Sequence, residues 1–207
     1  MIVIIDYGVG NLFSLKSSLE HIGADVVISS DKDVICRAEK LLLPGVGAFE
    51  DAIRKLSENG LDVVVKEEVA RGKPLLGICL GMQMLFEKSY EYGEHKGLGL
   101  IPGSVIAMSG LIPEELKVPH IGWNALHFTS NKSKLFKYIN NADHVYFVHS
   151  YFASGCDEYV TATAEYGIEL TASVERGNVF GCQFHPEKSG TVGLNILRAF
   201  CEMEVEI

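Results

Sequence analysis

The 207-residue sequence has few basic residues, few cysteines and a single tryptophan, and the first two shortages each argue against a class of protein. Its 18 Lys and Arg stand against 27 Asp and Glu, a formal net charge of −9 with no basic stripe. Nucleic-acid binding is therefore not expected, because phosphate neutralisation needs clustered Lys and Arg. The five cysteines are an odd number without a C-x-x-C pair, so neither a disulfide framework nor a structural zinc site is indicated. A reducing, cytoplasmic setting is the expectation.

Long apolar runs are also missing. No run approaches the length of a membrane span, and the first one, residues 2–5, lacks the positive segment that precedes a signal-peptide core. The seven histidines show no H-x-x-x-H spacing, so no metal site is predicted, and His120 and His149 are interpreted as structural. In Asp6-Tyr7-Gly8-Val9-Gly10-Asn11, a dinucleotide fingerprint would need a glycine at Phe13, so a tight turn or contact surface is expected there instead.

What is present in the first half of the chain is an alternation of apolar and amphipathic segments. The pattern predicts strands at residues 2–6, 25–29 and 40–43, the last stopped by Pro44, and helices at 11–22, 48–56 and 61–70. A further strand leads to Cys79. Such alternation implies right-handed crossovers and a parallel sheet, and therefore an α/β fold.

From about residue 97 the sequence becomes β-rich. Strands are predicted at 104–108, 124–128, 144–148, 159–165, 170–174 and 179–184, with a final helix at 191–201. No repeat or linker separates the two halves, and 207 residues suit one well-packed domain. We therefore expect a single domain, 1–207, whose mostly parallel central sheet is flanked by helices and carries an added β-rich region.

The segment Gly77-Ile78-Cys79-Leu80-Gly81 ends an apolar run and precedes helix-favouring residues. It is typical of a strand–nucleophile–helix elbow, in which flanking glycines permit a strained turn. The helix start beside the sulfur would lower its pKa, so Cys79 is predicted to be a nucleophile. Inert core positions are expected for the cysteines that lack such a turn, namely Cys36, Cys182 and Cys201.

A base for this cysteine is available in His185-Pro186-Glu187. The proline forbids helix, and in an extended segment residues i and i+2 point the same way, so the imidazole and carboxylate can meet. Glu187 would then orient His185, as the third member of a triad does. A surface loop is the alternative reading of this short motif.

Pro44-Gly45-Val46-Gly47 follows the third predicted strand. Glycines on both sides of the valine leave the Val46–Gly47 peptide free to rotate, which suits either a plain turn or an oxyanion strand. We favour the oxyanion strand.

Together, the segments around Val46, Cys79 and His185 closely resemble those of the triad-type, class I glutamine amidotransferases, over nearly the whole chain. Asp6-Tyr7-Gly8-x-Gly10-Asn11, Pro119-His120-Ile121-Gly122-Trp123-Asn124 and Tyr146-Phe147-Val148-His149-Ser150-Tyr151 look like the glutaminase subunits of imidazole glycerol phosphate synthases, in histidine biosynthesis. The length fits a free-standing subunit of that kind.

The resemblance implies the roles of individual residues. Cys79 would attack the carboxamide carbon of glutamine, His185 would protonate the departing ammonia and then activate water, and Glu187 would support His185. The N–H of Leu80 and the peptide of Val46 and Gly47 would hold the oxyanion. Substrate contacts would come from Gln83, His149, Ser150 and Tyr151. No metal or organic cofactor is needed.

The resemblance also implies a partner, a (β/α)8-barrel cyclase that forms a heterodimer with this chain and consumes the ammonia. The interface candidates are Asn11, Trp123, Tyr146 and Lys188, with core packing as the alternative for Trp123. We expect the Val46–Gly47 peptide to rest in a non-productive orientation and to turn when the loaded partner binds.

Three alternatives stay open at this point. The chain could be another triad amidotransferase subunit, serving pyridoxal phosphate or purine synthesis. It could be a cysteine peptidase or chaperone-like relative with the same elbow. It could also be a scaffold that kept the fold and lost activity, although an intact Cys79, His185 and Glu187 argue against that.

Overall fold

The apolar segments of the first half pair as parallel strands in the computed structural model, which describes residues 1–204. The predicted domain, 1–207, thus ends in residues 205–207, which lie outside the described part. The strands are β1 (Ile2–Ile5), β2 (Val26–Ser29), β3 (Lys40–Gly45), β4 (Leu75–Cys79), β5 (Phe86–Ser89), β6 (His95–Lys96), β7 (Ile101–Ala107), β8 (His120–Ala125), β9 (His127–Phe128), β10 (His144–His149), β11 (Tyr151–Ser154), β12 (Val160–Glu165), β13 (Glu169–Arg176) and β14 (Val179–Cys182). The α-helices are α1 (Leu12–His21), α2 (Lys32–Arg37), α3 (Phe49–Glu58), α4 (Leu61–Ala70), α5 (Leu80–Met84) and α6 (Gly190–Cys201).

The central sheet has eight strands in the order β2-β1-β3-β4-β14-β13-β12-β9. The first five are parallel neighbours, and the last three are joined antiparallel. The prediction of an α/β fold with a mostly parallel central sheet and an added β-rich region is confirmed. β4, which carries Cys79 at its end, lies inside the sheet between β3 and β14.

Helices cover both faces of this sheet, because successive residues of each buried strand point to opposite sides. Val3 and Ile5 pack into one apolar cluster with α3 and α4, whereas Ile2 and Ile4 pack into another with α1 and α6. β1 and β4 consequently have no polar side chain at any position, rather than an alternation of apolar and polar ones. No helix within residues 1–204 is long and apolar enough to cross a membrane.

Two smaller sheets lie beside the large one. β8 and β10 form an antiparallel pair in which His120 stands opposite His149. The other sheet has the order β11-β7-β5-β6. Of these strands, β5, β6 and β11 are absent from the sequence prediction, and predicted strand 124–128 is divided between β8 and β9, which belong to different sheets.

β3 does not stop at Pro44, as predicted, but continues to Gly45. Its pairing with β1 ends at Leu42, while its pairing with β4 continues through Pro44 and Gly45. At Pro44, β3 is paired with β4 but no longer with β1. An N–H directed toward β1 would have no strand partner there, so a proline, which lacks the N–H, is tolerated. The strand therefore delivers the next residues beside the end of β4.

α2 is also absent from the sequence prediction. It begins after Asp31, whose carboxylate accepts hydrogen bonds from the N–H groups of Asp33 and Val34 at 2.8 and 3.1 Å. This helix places Cys36 at the surface, so the expectation of a core position for Cys36 is wrong. Cys182 is buried as expected, and Cys201 is half-buried.

Candidate active site

Cys79 occupies a strained turn at the junction of β4 and α5. Its φ of 54° and ψ of −113° lie in a region that non-glycine residues rarely adopt, and its side chain is buried. A Cβ on Gly81 would lie 1.7 Å from the carbonyl oxygen of Leu43, so only glycine allows α5 to start this close to β3. The backbone has the geometry expected of a nucleophile elbow.

His185 is held by its neighbours at the end of the segment that follows β14. Its N–H donates to the carbonyl of Tyr146 at 2.9 Å, and its own carbonyl accepts from the hydroxyl of Ser189 at 2.6 Å. The Nδ1 of His185 lies 2.8 Å from Oε1 of Glu187, and both side chains are buried. Because a carboxylate only accepts, Nδ1 of His185 carries a proton.

The backbone between His185 and Glu187 is not extended, contrary to the expectation from the sequence. Pro186–Lys188 is a short 3-10 turn with proline at its start, so Glu187 is not in an extended segment. Proline suits the first position of such a turn because its missing N–H would have no partner there. The turn folds Glu187 back to His185.

The charge state of His185 follows from these contacts. Burial by itself lowers the pKa of His185, but hydrogen bonds to Cys79 and Glu187 and the negative charges of both outweigh it and raise the pKa to about 9. The imidazole is therefore protonated at neutral pH. Within the described residues, no histidine is among the groups that shift the pKa of two cysteines elsewhere in the fold, Cys156 and Cys201. Burial raises the pKa of both thiols to about 11, which leaves them in the unreactive thiol form.

The segment after β3 lies against the elbow. The buried hydroxyl of Tyr7 donates to the carbonyl of Pro44 at 2.6 Å, and burial raises the pKa of that hydroxyl, so it stays protonated. Gly47 has a φ of +90°, which a side chain would strain, and Val46 is partly exposed. Sequence reasoning missed Tyr7, since its support of Pro44 joins residues 37 positions apart.

A cavity of about 380 Å³ opens above Cys79. It is lined by Val46, Gly47, Cys79, Leu80, Gln83, Glu91, Pro119, Val148, His149, Ser150, Tyr151, His185 and Lys188. Every residue predicted for the oxyanion hole or for substrate contact is among them, and Glu187 lies behind His185.

Glu91 is the acidic residue of this cavity, and it was not predicted. Its Oε2 accepts the N–H of Phe49, the first residue of α3, at 2.5 Å. Burial raises the pKa of Glu91, partly offset by that hydrogen bond. No local motif marks this glutamate, which stands in a loop after β5 and reaches across the fold.

Two glutamine side chains, those of Gln83 at the cavity wall and of buried Gln183, connect Tyr151 with Cys79. Nε2 of Gln83 donates to the carbonyl of Tyr151 and to Oε1 of Gln183, both at 3.0 Å. Nε2 of Gln183 lies 3.8 Å from the sulfur of Cys79. Gln183 is a third residue, after Tyr7 and Glu91, that the sequence prediction omitted.

Three of the four interface candidates form one surface cluster. Trp123 is 55% exposed and lies edge-on to Tyr146 at 6.2 Å between ring centroids, while the ammonium of Lys188 lies 5.9 Å from the Tyr146 ring. The core-packing alternative for Trp123 is therefore wrong. Asn11 is not in this cluster; it lies beside a small cavity shared with His185 and Glu187.

Comparison with known proteins gives the family. The model of the family described as glutamine amidotransferase class-I matches residues 3–203. The chain belongs to the class I glutamine amidotransferases. Solved structures agree on the fold: a glutamine amidotransferase crystal structure has a TM-score of 0.75 at 21% identity and covers 98% of each chain. The PurLQS structure from Thermotoga maritima has a TM-score of 0.72 at 20% identity and covers 96% of each chain.

Relatives within the family are more specific. Imidazole glycerol phosphate synthase subunit HisH of Caldanaerobacter subterraneus is 50% identical over 98% of this chain and 98% of its own. The HisH subunit of Geobacillus kaustophilus is 50% identical over 97% of this chain and 95% of its own. The HisH subunit of Rhodopirellula baltica is 47% identical over the full length of both chains. This similarity confirms the predicted resemblance to the glutaminase subunits of imidazole glycerol phosphate synthase. It also confirms the predicted enzyme class, a glutamine amidotransferase of histidine biosynthesis.

Proposed function

We propose that this chain hydrolyses glutamine to glutamate and ammonia in the cavity above Cys79 and supplies the ammonia to a cyclase partner. The observation that carries this proposal is the joint placement of the strained Cys79 elbow and the buried His185–Glu187 pair on one cavity. A thiol becomes a strong nucleophile as its thiolate, which a protonated imidazole beside it stabilises.

The chemical steps follow from these positions. The sulfur of Cys79 bonds to the carboxamide carbon of glutamine, and the C–N bond then breaks as His185 gives its proton to the leaving nitrogen. Ammonia departs and a thioester remains. Neutral His185 next takes a proton from water, the hydroxide displaces the sulfur, and glutamate leaves with the resting ion pair restored.

The oxyanion formed in both steps needs N–H donors at the cavity wall. The N–H of Leu80, directly after the nucleophile, is one such donor, and the Val46–Gly47 peptide is the other. The φ of Gly47 and the exposure of Val46 support a peptide that can turn between two orientations. The hydrogen bond from the Tyr7 hydroxyl to the Pro44 carbonyl would fix the residues before Val46 while the Val46–Gly47 peptide turns.

Charged groups on the cavity wall suit the two charges of the amino-acid substrate. We assign Glu91 to the α-ammonium group of glutamine and the ammonium of Lys188 to its α-carboxylate. Both N–H groups of the Gln83 amide are used within the protein, which leaves its carbonyl oxygen for the carboxamide of the substrate.

Replacing Glu91 by glutamine tests this assignment. We expect the KM for glutamine to rise by about tenfold or more with a smaller change in kcat, because the substrate loses an ion pair that forms before the chemical step. Steady-state glutamate release measures both constants. Glu94→Gln, an exposed glutamate of the same loop, is the matched control, and an unchanged KM in Glu91→Gln would remove Glu91 from the substrate site.

The proposed partner is a (β/α)8-barrel cyclase that forms a heterodimer with this chain. Trp123, Tyr146 and Lys188 form a contiguous cluster beside the cavity, and its two exposed or half-buried aromatic rings are of the kind enriched in protein interfaces. Asn11 would extend this surface past the Val46–Gly47 segment. Coupling through that segment would prevent the waste of glutamine when no acceptor is bound.

Glutamate release by the chain alone, and with the cyclase and its ribonucleotide substrate, tests the function and the coupling together. We expect weak release alone and at least about a hundredfold more with the loaded partner, because an oxyanion donor contributes on the order of 10²–10³ in rate. Quenching of Trp123 fluorescence by iodide should fall when the partner binds.

The other outcomes separate the function from the coupling. High activity of the isolated chain would keep the chemistry and overturn the coupling. Stimulation by a different synthase, such as one of purine synthesis, would identify another amidotransferase subunit, whereas no activity in any mixture would favour the scaffold alternative.

A further inference from the structure

Two buried histidines, His149 at the cavity wall and His120 beside it, take no part in the bond-making steps proposed above. His120 on β8 and His149 on β10 face each other across the strand pair, and their side chains are 3% and 6% exposed. The His120 ring is stacked between Tyr166 and Phe147, with centroids 4.1 and 5.0 Å away. Such close packing on both sides fixes the plane of the ring.

The hydrogen bonds of this pair have one possible direction. Nδ1 of His149 lies 2.9 Å from the carbonyl oxygen of Tyr151, which can only accept, so Nδ1 of His149 carries a proton. Burial lowers the pKa of His149 to about 4, and neighbouring His120 and His185 add to this effect, so the ring is neutral. Its Nε2 therefore has no proton and accepts.

The donor to that nitrogen is His120. Nδ1 of His120 lies 3.1 Å from Nε2 of His149 and must carry the proton for the bond to exist. Burial lowers the pKa of His120 as well, so this ring is also neutral and its Nε2 carries no proton. That nitrogen lies 3.5 Å from the amide nitrogen of Asn124. That amide donates more closely to the carbonyl of Glu165, at 2.7 Å.

The hydrogen bonds from His120 through His149 lead to Tyr151, which lines the substrate cavity. The Tyr151 carbonyl accepts from His149 and from Gln83, and Gln83 in turn leads to Gln183 and the sulfur of Cys79. Residues 148–151, which line the cavity, join β10 to β11, whose partners are in different sheets. The side-chain bonds to Tyr151 thus brace a segment where the strand ladder is interrupted.

We propose that His120 is a positioning residue of the glutamine site, which through its bond to His149 holds the Tyr151 carbonyl and the Gln83 amide in place. The pair also stays uncharged, so neither ring adds a positive charge near protonated His185. This proposal rests on the proposed function, because it assigns the braced wall to glutamine binding.

His120→Phe removes the donor and keeps an aromatic ring in the stack, whereas His120→Asn keeps an N–H near the position of Nδ1. In the presence of the loaded partner, we expect His120→Phe to raise the KM for glutamine by about tenfold, the effect of one buried hydrogen bond, with a smaller change in kcat. His120→Asn should recover most of the loss. His127→Phe, the same change at an exposed histidine of β9, should leave the KM unchanged.

The KM separates positioning from general destabilisation. Partial unfolding reduces the amount of active protein and so lowers apparent kcat without moving KM. An unchanged KM in His120→Phe, or a KM in His120→Asn as high as that of the phenylalanine variant, would overturn the proposal.

Nitrogen-15 spectra of histidine-labelled, unmutated protein give a readout that does not depend on activity. Both rings should be neutral with the proton on Nδ1 at pH 7, and a charged ring or an Nε2-protonated ring at either position would overturn the proposal even if the variants fail to fold. Failure of the proposed function would show differently, as no glutamine hydrolysis by the unmutated chain in any mixture while these spectra still show two neutral, Nδ1-protonated rings.

Discussion

Replacing Cys79 by alanine will reduce glutamine hydrolysis by on the order of 10⁴-fold or more, because the other residues that line the cavity carry no thiol to form the thioester. The alanine removes only the sulfur, so the fold should be kept. Glutamate release with the loaded partner measures the loss, and circular dichroism checks the fold. An electrophilic glutamine analogue should label the unmutated chain once, at Cys79.

Cys36→Ala is the matched control for this experiment. Cys36 is an exposed cysteine, and desolvation together with the nearby Glu68 raises its pKa, so it is a poor competitor for the label. We expect that variant to keep full activity and labelling. Substantial hydrolysis by Cys79→Ala, or labelling at another cysteine, would contradict the assigned nucleophile.

Glu187→Gln will lower kcat by about 10²–10⁴-fold and move the alkaline limb of the pH profile to lower pH. In a serine protease, changing the carboxylate of the triad to its amide lowers kcat by about 10⁴, mainly because the histidine then takes the wrong tautomer. Here the amide of a glutamine could likewise turn its N–H toward Nδ1 of His185.

The direction of the pH shift follows from the pKa of His185. Hydrogen bonding and the negative charges of Cys79 and Glu187 overcome burial and raise that pKa to about 9, so the proton required by the leaving ammonia is present at neutral pH and is lost as the pH rises through about 9. Removing the charge of Glu187 lowers the pKa, by about one unit or more for a close opposite charge. The limb should therefore fall at lower pH in Glu187→Gln.

The pH dependence of kcat/KM measures this limb, because that constant reports ionisations of the free enzyme. Glu50→Gln, an exposed glutamate in the first turn of α3, is a control that should leave the profile unchanged. An alkaline limb at the same pH in both variants would show that Glu187 does not set the protonation of His185.

The features that were predicted correctly from the sequence are those encoded in short windows. Glycines around Cys79 allow one tight turn, and alternating apolar and amphipathic segments require a sheet covered on both faces. The proximity of His185 and Glu187 was expected for the same reason, since they are two residues apart, although the 3-10 turn that joins them was not. Up to Cys79, the strands and the helices other than α2 followed from apolar runs and helical spacing, with Leu61–Ala70 predicted to its bounds.

Contacts between distant residues were beyond such reasoning. Glu91 reaches the start of α3 across 42 positions, and Gln83 meets Gln183 across 100. No local pattern encodes these distances, because they depend on which strands become neighbours and in what register.

Local sequence was thus sufficient for the α/β class, the elbow at Cys79, the nearby His185–Glu187 pair and the resemblance to class I glutamine amidotransferases. Folding in three dimensions was needed to show that Pro44 continues β3, that Glu91 lines the cavity and that His120 stands opposite His149. The physical reason is that turns and periodicities are properties of a few consecutive residues, whereas a cavity wall is assembled by the register of strands far apart in the chain.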